Sequence, residues 1–340
     1  MKKILKLTGS LIPLFLGVFV FQNSVSAAGA EIYVYQTSGT TIISPTVTQT
    51  PDGTVTYDEP TNTLTLEDFS GTGIAIGNSD LSTVTKLVLK GDNVITNASS
   101  TGIGLDFATP AKISGDGKIT VNVTNNIAVN AQKELVIDSG TFVLVAKTAI
   151  KLAGSQFVFN DGDLTINSAS VRGIDSAGTE VIFGGGGVAI VSAGQGIYIE
   201  DNNLTFSGGV VEIDGATNGV EIVSTTTTPN KVIIDNGDIT IEGNTTAVSV
   251  TNSSDADAII FGDGVYVVED GVSVVKTASG TNTISRFAKA GAAVKSVEFK
   301  KSPEEGEENS NTSDSLVIYI GIFALSLGLL VLKSRKTSRI

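Results

Sequence analysis

A unit of about two dozen residues recurs nine times between Leu66 and Phe261, and it leaves the chain few folds to choose from. In the six clearest copies an apolar residue (Ile137, Phe159, Phe183, Phe206, Ile234, Phe261) is followed three residues later by glycine (Gly140, Gly162, Gly186, Gly209, Gly237, Gly264). Five and seven residues after the start come two more apolar positions, from Phe142 and Leu144 in the first of these copies to Tyr266 and Val268 in the last. A third apolar pair opened by glycine follows, as in Gly73-Ile74-x-Ile76, Gly102-Ile103-x-Leu105, Gly196-Ile197-x-Ile199 and Gly271-Val272-x-Val274. Earlier copies at Leu66, Leu89 and Ile113 fit with one-residue slips. A fixed period of this size marks a repeat architecture, in which each unit buries its apolar face only against its neighbours.

The spacing of two inside each unit, as in Leu164-x-Ile166 and Ile239-x-Ile241, is that of strands, and the residues are those that suit a pleated surface. Asn160-Asp161-Gly162 and Asp235-Asn236-Gly237 are turns, because glycine accepts positive φ and Asn or Asp bonds its own backbone. The pattern therefore predicts an all-β chain: a single-stranded parallel β-helix, or β-solenoid, of about nine rungs with three strands each, over residues 61–280. Phe159, Phe183 and Phe206 are expected to form an internal aromatic ladder. Residues 28–60, with the turn Pro51-Asp52-Gly53, read as an N-terminal β cap, and 281–301 as a C-terminal cap, since open sheet edges need cover. The insertions Ser224–Asn230 and Thr251–Asp257 follow the third strand and are expected to project from one edge.

Both ends carry targeting signals. Lys2, Lys3 and Lys6 precede an apolar stretch, Leu11 through Phe21, and Val25-Ser26-Ala27 suits a signal peptidase, so 1–27 is expected to be a signal peptide. Residues 302–314 are acidic and polar, an expected disordered spacer. Residues 315–332 have no charge and are long enough for one transmembrane helix; Lys333, Arg335, Lys336 and Arg339 in the tail 333–340 place that tail in the cytoplasm and the solenoid outside. Seven of the 22 basic residues lie in these terminal segments, which leaves 15 against 35 acidic residues and a net charge near −20 on the exported part. That charge argues against nucleic acid as a partner.

The chain has no His and no Cys, so Ser-His-Asp and Cys-His catalysis and the usual zinc sites are excluded. Gly184-Gly185-Gly186-Gly187 sits between two strands and reads as a turn, not as a dinucleotide fingerprint. Rung equivalence makes two outward rows worth following. Asp214, Glu242 and Glu269 are expected to stack as like charges; this is a solvated face, or a row whose repulsion a cation such as calcium would relieve. Lys151, Asp175, Tyr198 and Glu221, with Arg172 beside them, put one aromatic ring among hydrogen-bonding groups that suit a polysaccharide. No catalytic residue and no resident cofactor is assigned.

The stretch from Gly53 through Tyr57, Asp58 and Asn62 to Leu66, with Leu87-Val-Leu-Lys-Gly91-Asp-Asn93-Val-Ile-Thr and Ile113-Ser-Gly-Asp-Gly117-Lys-Ile-Thr-Val121, resembles the repeat of bacterial surface proteins with pectate-lyase-like parallel β-helices, some labelled carbohydrate-binding. The resemblance covers roughly residues 50–275 and rests on structural positions. It implies the fold; the Arg or Lys near calcium-binding acids that lyases of this shape use is not found. The C-terminus resembles a Gram-positive cell-wall sorting signal without its Leu-Pro-x-Thr-Gly motif; Asn311-Thr312-Ser313-Asp314 stands in that place. The expectation is a non-enzymatic protein anchored by a single pass to the outer face of the cell envelope, for adhesion or binding of a polysaccharide or cell-surface glycan. The alternatives are a polysaccharide lyase or hydrolase and a purely structural envelope protein.

Overall fold

The computed structural model describes residues 30–302, apart from 37–38, 44–47, 51–52, 79–83, 100 and 255. The expected signal peptide, nearly all of the spacer, the transmembrane segment and the basic tail lie outside the described residues. Within them the chain is all-β. Its one helical element is the short 3-10 turn Glu59–Thr61, and no described helix is long and apolar enough to cross a membrane.

The repeat becomes three parallel sheets wound around one core. On the first face, Leu64, Leu87, Ile113, Ile137, Phe159, Phe183, Phe206, Ile234 and Phe261 lie in Cα register from one strand to the next. On the second, Ile95, Val121, Leu144, Ile166, Ile190, Ile213 and Ile241 do the same. On the third, the column is Ile74, Leu105, Val129, Ile150, Ile174, Ile197, Val220 and Val248. Every member of these columns is buried except Phe261, at 36% exposure. The two-residue period sends alternate side chains inward, and stacking buries them against the same kind of residue above and below.

Three expectations are corrected in detail. The column starts at Leu64 and Leu87, two residues before the expected Leu66 and Leu89, which lie instead in register with Gly115. The third strand near residue 103 is Leu105–Phe107, which pairs Leu105 with Ile74. The solenoid completes about eight turns, not nine. Ile259–Phe261 starts a ninth on the first face, but Val265–Val267 then turns away to pair antiparallel with Ser296–Lys301. Tyr266 and Val268 are consequently 45% and 40% exposed rather than core. Val272–Ser279 forms an antiparallel hairpin with Asn282–Lys289, so the C-terminal cap begins near residue 265.

Antiparallel strands close both ends. Ala30–Gln36 covers Gly73–Asn78, and Gly53–Asp58 covers Thr63–Glu67. At the other end Ser296–Lys301 lies over the second face, with Phe299 opposite Ile239, and Asn282–Lys289 lies over the third, with Ser285 opposite Val250. Phe287 and Phe299 are buried 5.3 Å apart and seal the core. An antiparallel strand satisfies the last ladder of N–H and C=O groups but does not repeat the parallel pattern, so stacking stops there.

Two details of packing set the turn geometry. The ring of Phe183 stacks on Phe206 at 5.6 Å and 15°, and it meets Phe157 edge-on at 6.4 Å, so the aromatic contacts draw on the neighbouring core position as well as on the expected column. At the first corner, Gly162 and Gly186 have φ of 98° and 69°, and each carbonyl accepts from the next turn: Gly187 N–H donates to Gly162 O at 2.8 Å and Val210 N–H to Gly186 O at 2.9 Å. A Cβ on Gly186 would collide with the Gly162 carbonyl oxygen. Glycine at this corner is therefore required twice, by its φ and by the backbone one turn below.

Phe183→Ala is expected to lower unfolding stability by about 3–5 kcal/mol in a denaturant titration. Gly178 also has positive φ, 73°, but nothing near its missing Cβ. Gly178→Ala should then cost about 1 kcal/mol from backbone strain alone, and Gly186→Ala distinctly more in the same titration.

Candidate functional site

The exterior of the third face holds the residues that the repeat placed together. Lys151 stands opposite Asp175, Asp175 opposite Tyr198, and Tyr198 opposite Glu221. The row extends in both directions: Asp106 and Asn130 precede Lys151, and Ser249 follows Glu221. With strands about 4.8 Å apart, Asp106 to Ser249 spans roughly 30 Å.

Arg172 sits beside this row on the strand Asp163–Ala177, in register with Thr148 and Gln195. Its guanidinium donates to Asp175 at 2.6 Å and lies 3.6 Å from the centre of the Tyr198 ring. Asp175 and Arg172 are each about one-quarter exposed, so the ion pair and the cation–π contact are partly shielded from water. One face of Tyr198 is thus covered by a side chain of this same molecule. Burial raises the Tyr198 phenol pKa most, Glu200 adds to it, and Arg172 opposes. On the next turns, Gln195 Nε2 and Asn218 Nδ2 both donate to Glu221 Oε2, at 3.1 and 2.9 Å. Arg172 Nε and Asn218 Oδ1 are buried with no partner. Lys151 is exposed and makes no ion pair among the described residues. The five expected residues therefore form one connected patch, in which Lys151 and the outer edge of Tyr198 remain presented to solvent.

The acidic row behaves differently. Asp214 and Glu242 are register partners on the second face. The position above Glu242 is taken by Ser296 of the cap, whose hydroxyl donates to Glu242 Oε1 at 3.1 Å. Glu269 leaves the row with the cap and pairs with Lys289 at 2.8 Å. Three stacked carboxylates are thus not formed, and no group of three potential ligands converges on one point among the described residues. What remains is a pair, in which burial chiefly, and Glu242 secondarily, raise the Asp214 pKa.

Two features escaped the sequence reading. A recess of about 190 Å³ opens at the N-terminal end of the same row, lined by Tyr33, Asp106 and Gln132 over Ala75, Gly77 and Ala108. Its Tyr33 comes from the antiparallel cap, whose register no repeat announces. The insertion after the third strand is tied down as well. Asp201, at φ 58°, accepts from the Thr225 and Thr226 N–H groups at 2.6 and 3.1 Å and from the Thr225 hydroxyl. Buried Asn252 bonds the backbone of Asn230 in both directions, at 2.9 Å each way. These bonds tie the insertions to the neighbouring turns. Comparison of the chain with protein-family models, with curated proteins and with solved structures finds no match.

A carboxyl whose pKa is raised on folding binds more protons in the native state than in the unfolded chain. Its charged form therefore costs stability as pH rises through the folded pKa, and the cost is absent below the unfolded pKa. Asp214→Asn is expected to raise the melting temperature at pH 7 relative to the parent, with the gap closing as pH falls below the ordinary carboxylate range; a gap that widens on acidification would contradict the assignment.

Proposed function

We propose that the chain is a non-enzymatic adhesion or glycan-binding protein of the bacterial cell envelope, which uses the outer row of its third face as a rail for an extended polymer. The observation that carries this reading is the straight register of Asp106, Asn130, Lys151, Asp175, Tyr198 and Glu221. Hydrogen-bonding groups of both kinds repeat at the strand spacing over a length that suits several units of a chain rather than one small molecule. In a chain whose residues 28–314 carry a net charge near −20, the Lys151, Arg172, Asp175 and Glu221 patch is locally balanced, which favours a neutral polyhydroxyl ligand over a polyanion. The reading keeps the expected secretion signal and the single membrane anchor at 315–332, so that the solenoid faces outward.

A second reading rests on Asp214 and Glu242. Two carboxylates in register, one with a raised pKa, are the groups a glycoside hydrolase would use as acid and nucleophile. The Ser296 hydroxyl on Glu242 fits a capped surface pair better than an open cleft. A glycan array together with a reducing-end release assay separates the two: binding without release supports the rail, and release lost in Asp214→Asn supports the hydrolase. A purely structural role follows if both are negative. For a binding glycan, the Lys151→Ala and Tyr198→Ala double variant should weaken affinity about tenfold or more while keeping its circular dichroism.

A further inference from the structure

The recess at the N-terminal end of the third face has a chemistry of its own. Tyr33 of the cap strand lies opposite Ala75, and Ala75 lies opposite Asp106, so an aromatic side chain and a carboxylate flank a position with almost no side chain. Gly77 and Ala108 keep the rest of the floor low, and Gln132 closes the far side. The volume of about 190 Å³ is more than ten times what one water needs. It is also well below a drug-sized pocket, so the space suits a small organic group.

The electrostatics of the recess are one-signed. Asp106 accepts from Asn130 Nδ2 at 2.7 Å, a neutral donor, and it has no ion pair among the described residues. No Lys or Arg lines the recess. The nearest cation along the row is Lys151, two strands from Asp106, roughly 10 Å away and at the limit of screening in physiological salt. Tyr35, on the same cap strand, has its phenol pKa raised by burial first, then by Tyr33 and by the Asp106 carboxylate. An anion would meet an uncompensated carboxylate here. A group with a diffuse positive charge and an apolar surface would meet a carboxylate, an aromatic side chain and an alanine floor.

We propose that this recess binds an alkylammonium cation, carried either as a quaternary ammonium headgroup or as the amine of a lysine side chain. The assignment goes beyond the glycan reading and stands without it. The carboxylate supplies the charge partner, the aromatic wall the cation–π contact, and the small residues the room for N-methyl groups.

The test uses the full-length chain in a non-ionic, sugar-headed detergent. Saturation transfer from protein to ligand methyl protons is followed by NMR during titration with tetramethylammonium or methylammonium chloride, at ionic strength held constant with sodium chloride. Transfer to at least one of the two is expected. Tighter binding of tetramethylammonium identifies the headgroup source, and tighter binding of methylammonium the lysine-type amine. Asp106→Asn, which keeps the bond from Asn130, should weaken binding about tenfold or more. Ala108→Leu, which fills the recess and leaves the charge in place, should do the same; it carries the test alone should Asp106→Asn fail to fold. No transfer to either cation overturns the proposal, as does affinity unchanged in the folded variants. Displacement of neither cation by methyl glucoside is expected, and displacement by it would also overturn the assignment.

Discussion

Everything in this protein depends on each turn of backbone finding its hydrogen-bond partners on the turn below. A rung alone has three short strands and nothing to bury them against. Stacked in parallel, the rungs satisfy one another's N–H and C=O groups, and equal residues fall into columns. The columns are then held in register by packing, since a slip of one residue would turn Ile190 and Ile213 outward and bring Ala189 and Glu212 into the core. The same constraint explains the corner glycines, where the carbonyl of one turn occupies the space that a Cβ of the next would need.

Register also determines the surface. Residues about two dozen apart become neighbours 4.8 Å apart, so an outward position repeated in the sequence becomes a line on the rod. That is how Lys151, Asp175, Tyr198 and Glu221, far apart in the chain, come to share one patch, and why Arg172, three residues before Asp175, reaches both its carboxylate and the next turn's aromatic ring. A rigid face assembled this way loses little conformational entropy when a polymer lies on it. The caps limit the row at both ends and supply side chains the repeat does not carry. Tyr33 creates a recess at one end, and Arg286 faces Ser249 at the other.

The interior was legible where the repeat is strict. From Ile137 to Phe261 the first-face column follows the glycine spacing without a slip, because each turn there has its glycine at the same corner position. The reading lost accuracy where local pattern and long-range pairing part. Tyr266, Val268, Val272 and Val274 have the right spacing for a ninth rung, yet alternating apolar residues serve an antiparallel hairpin equally well. The reassignment of that segment removed Glu269 from the acidic row. The third-face row was legible because it needs only rung equivalence. The cation–π cover on Tyr198 and the recess were not, since the first depends on side-chain rotamers and the second on a cap strand paired across more than 40 residues.

The most direct test of the stacking is a set of distances along one outward column. Val94, Ala189, Glu212 and Thr240 share it, through Thr120, Val143 and Thr165, and the chain has no cysteine to interfere with labelling. Spin labels on Cys at 94 and at 189, 212 or 240 should give backbone separations of about 19, 24 and 29 Å, rising by one strand spacing per turn. Distances that do not climb in equal steps of this size would contradict the coil of turn upon turn, and with it every surface row described above.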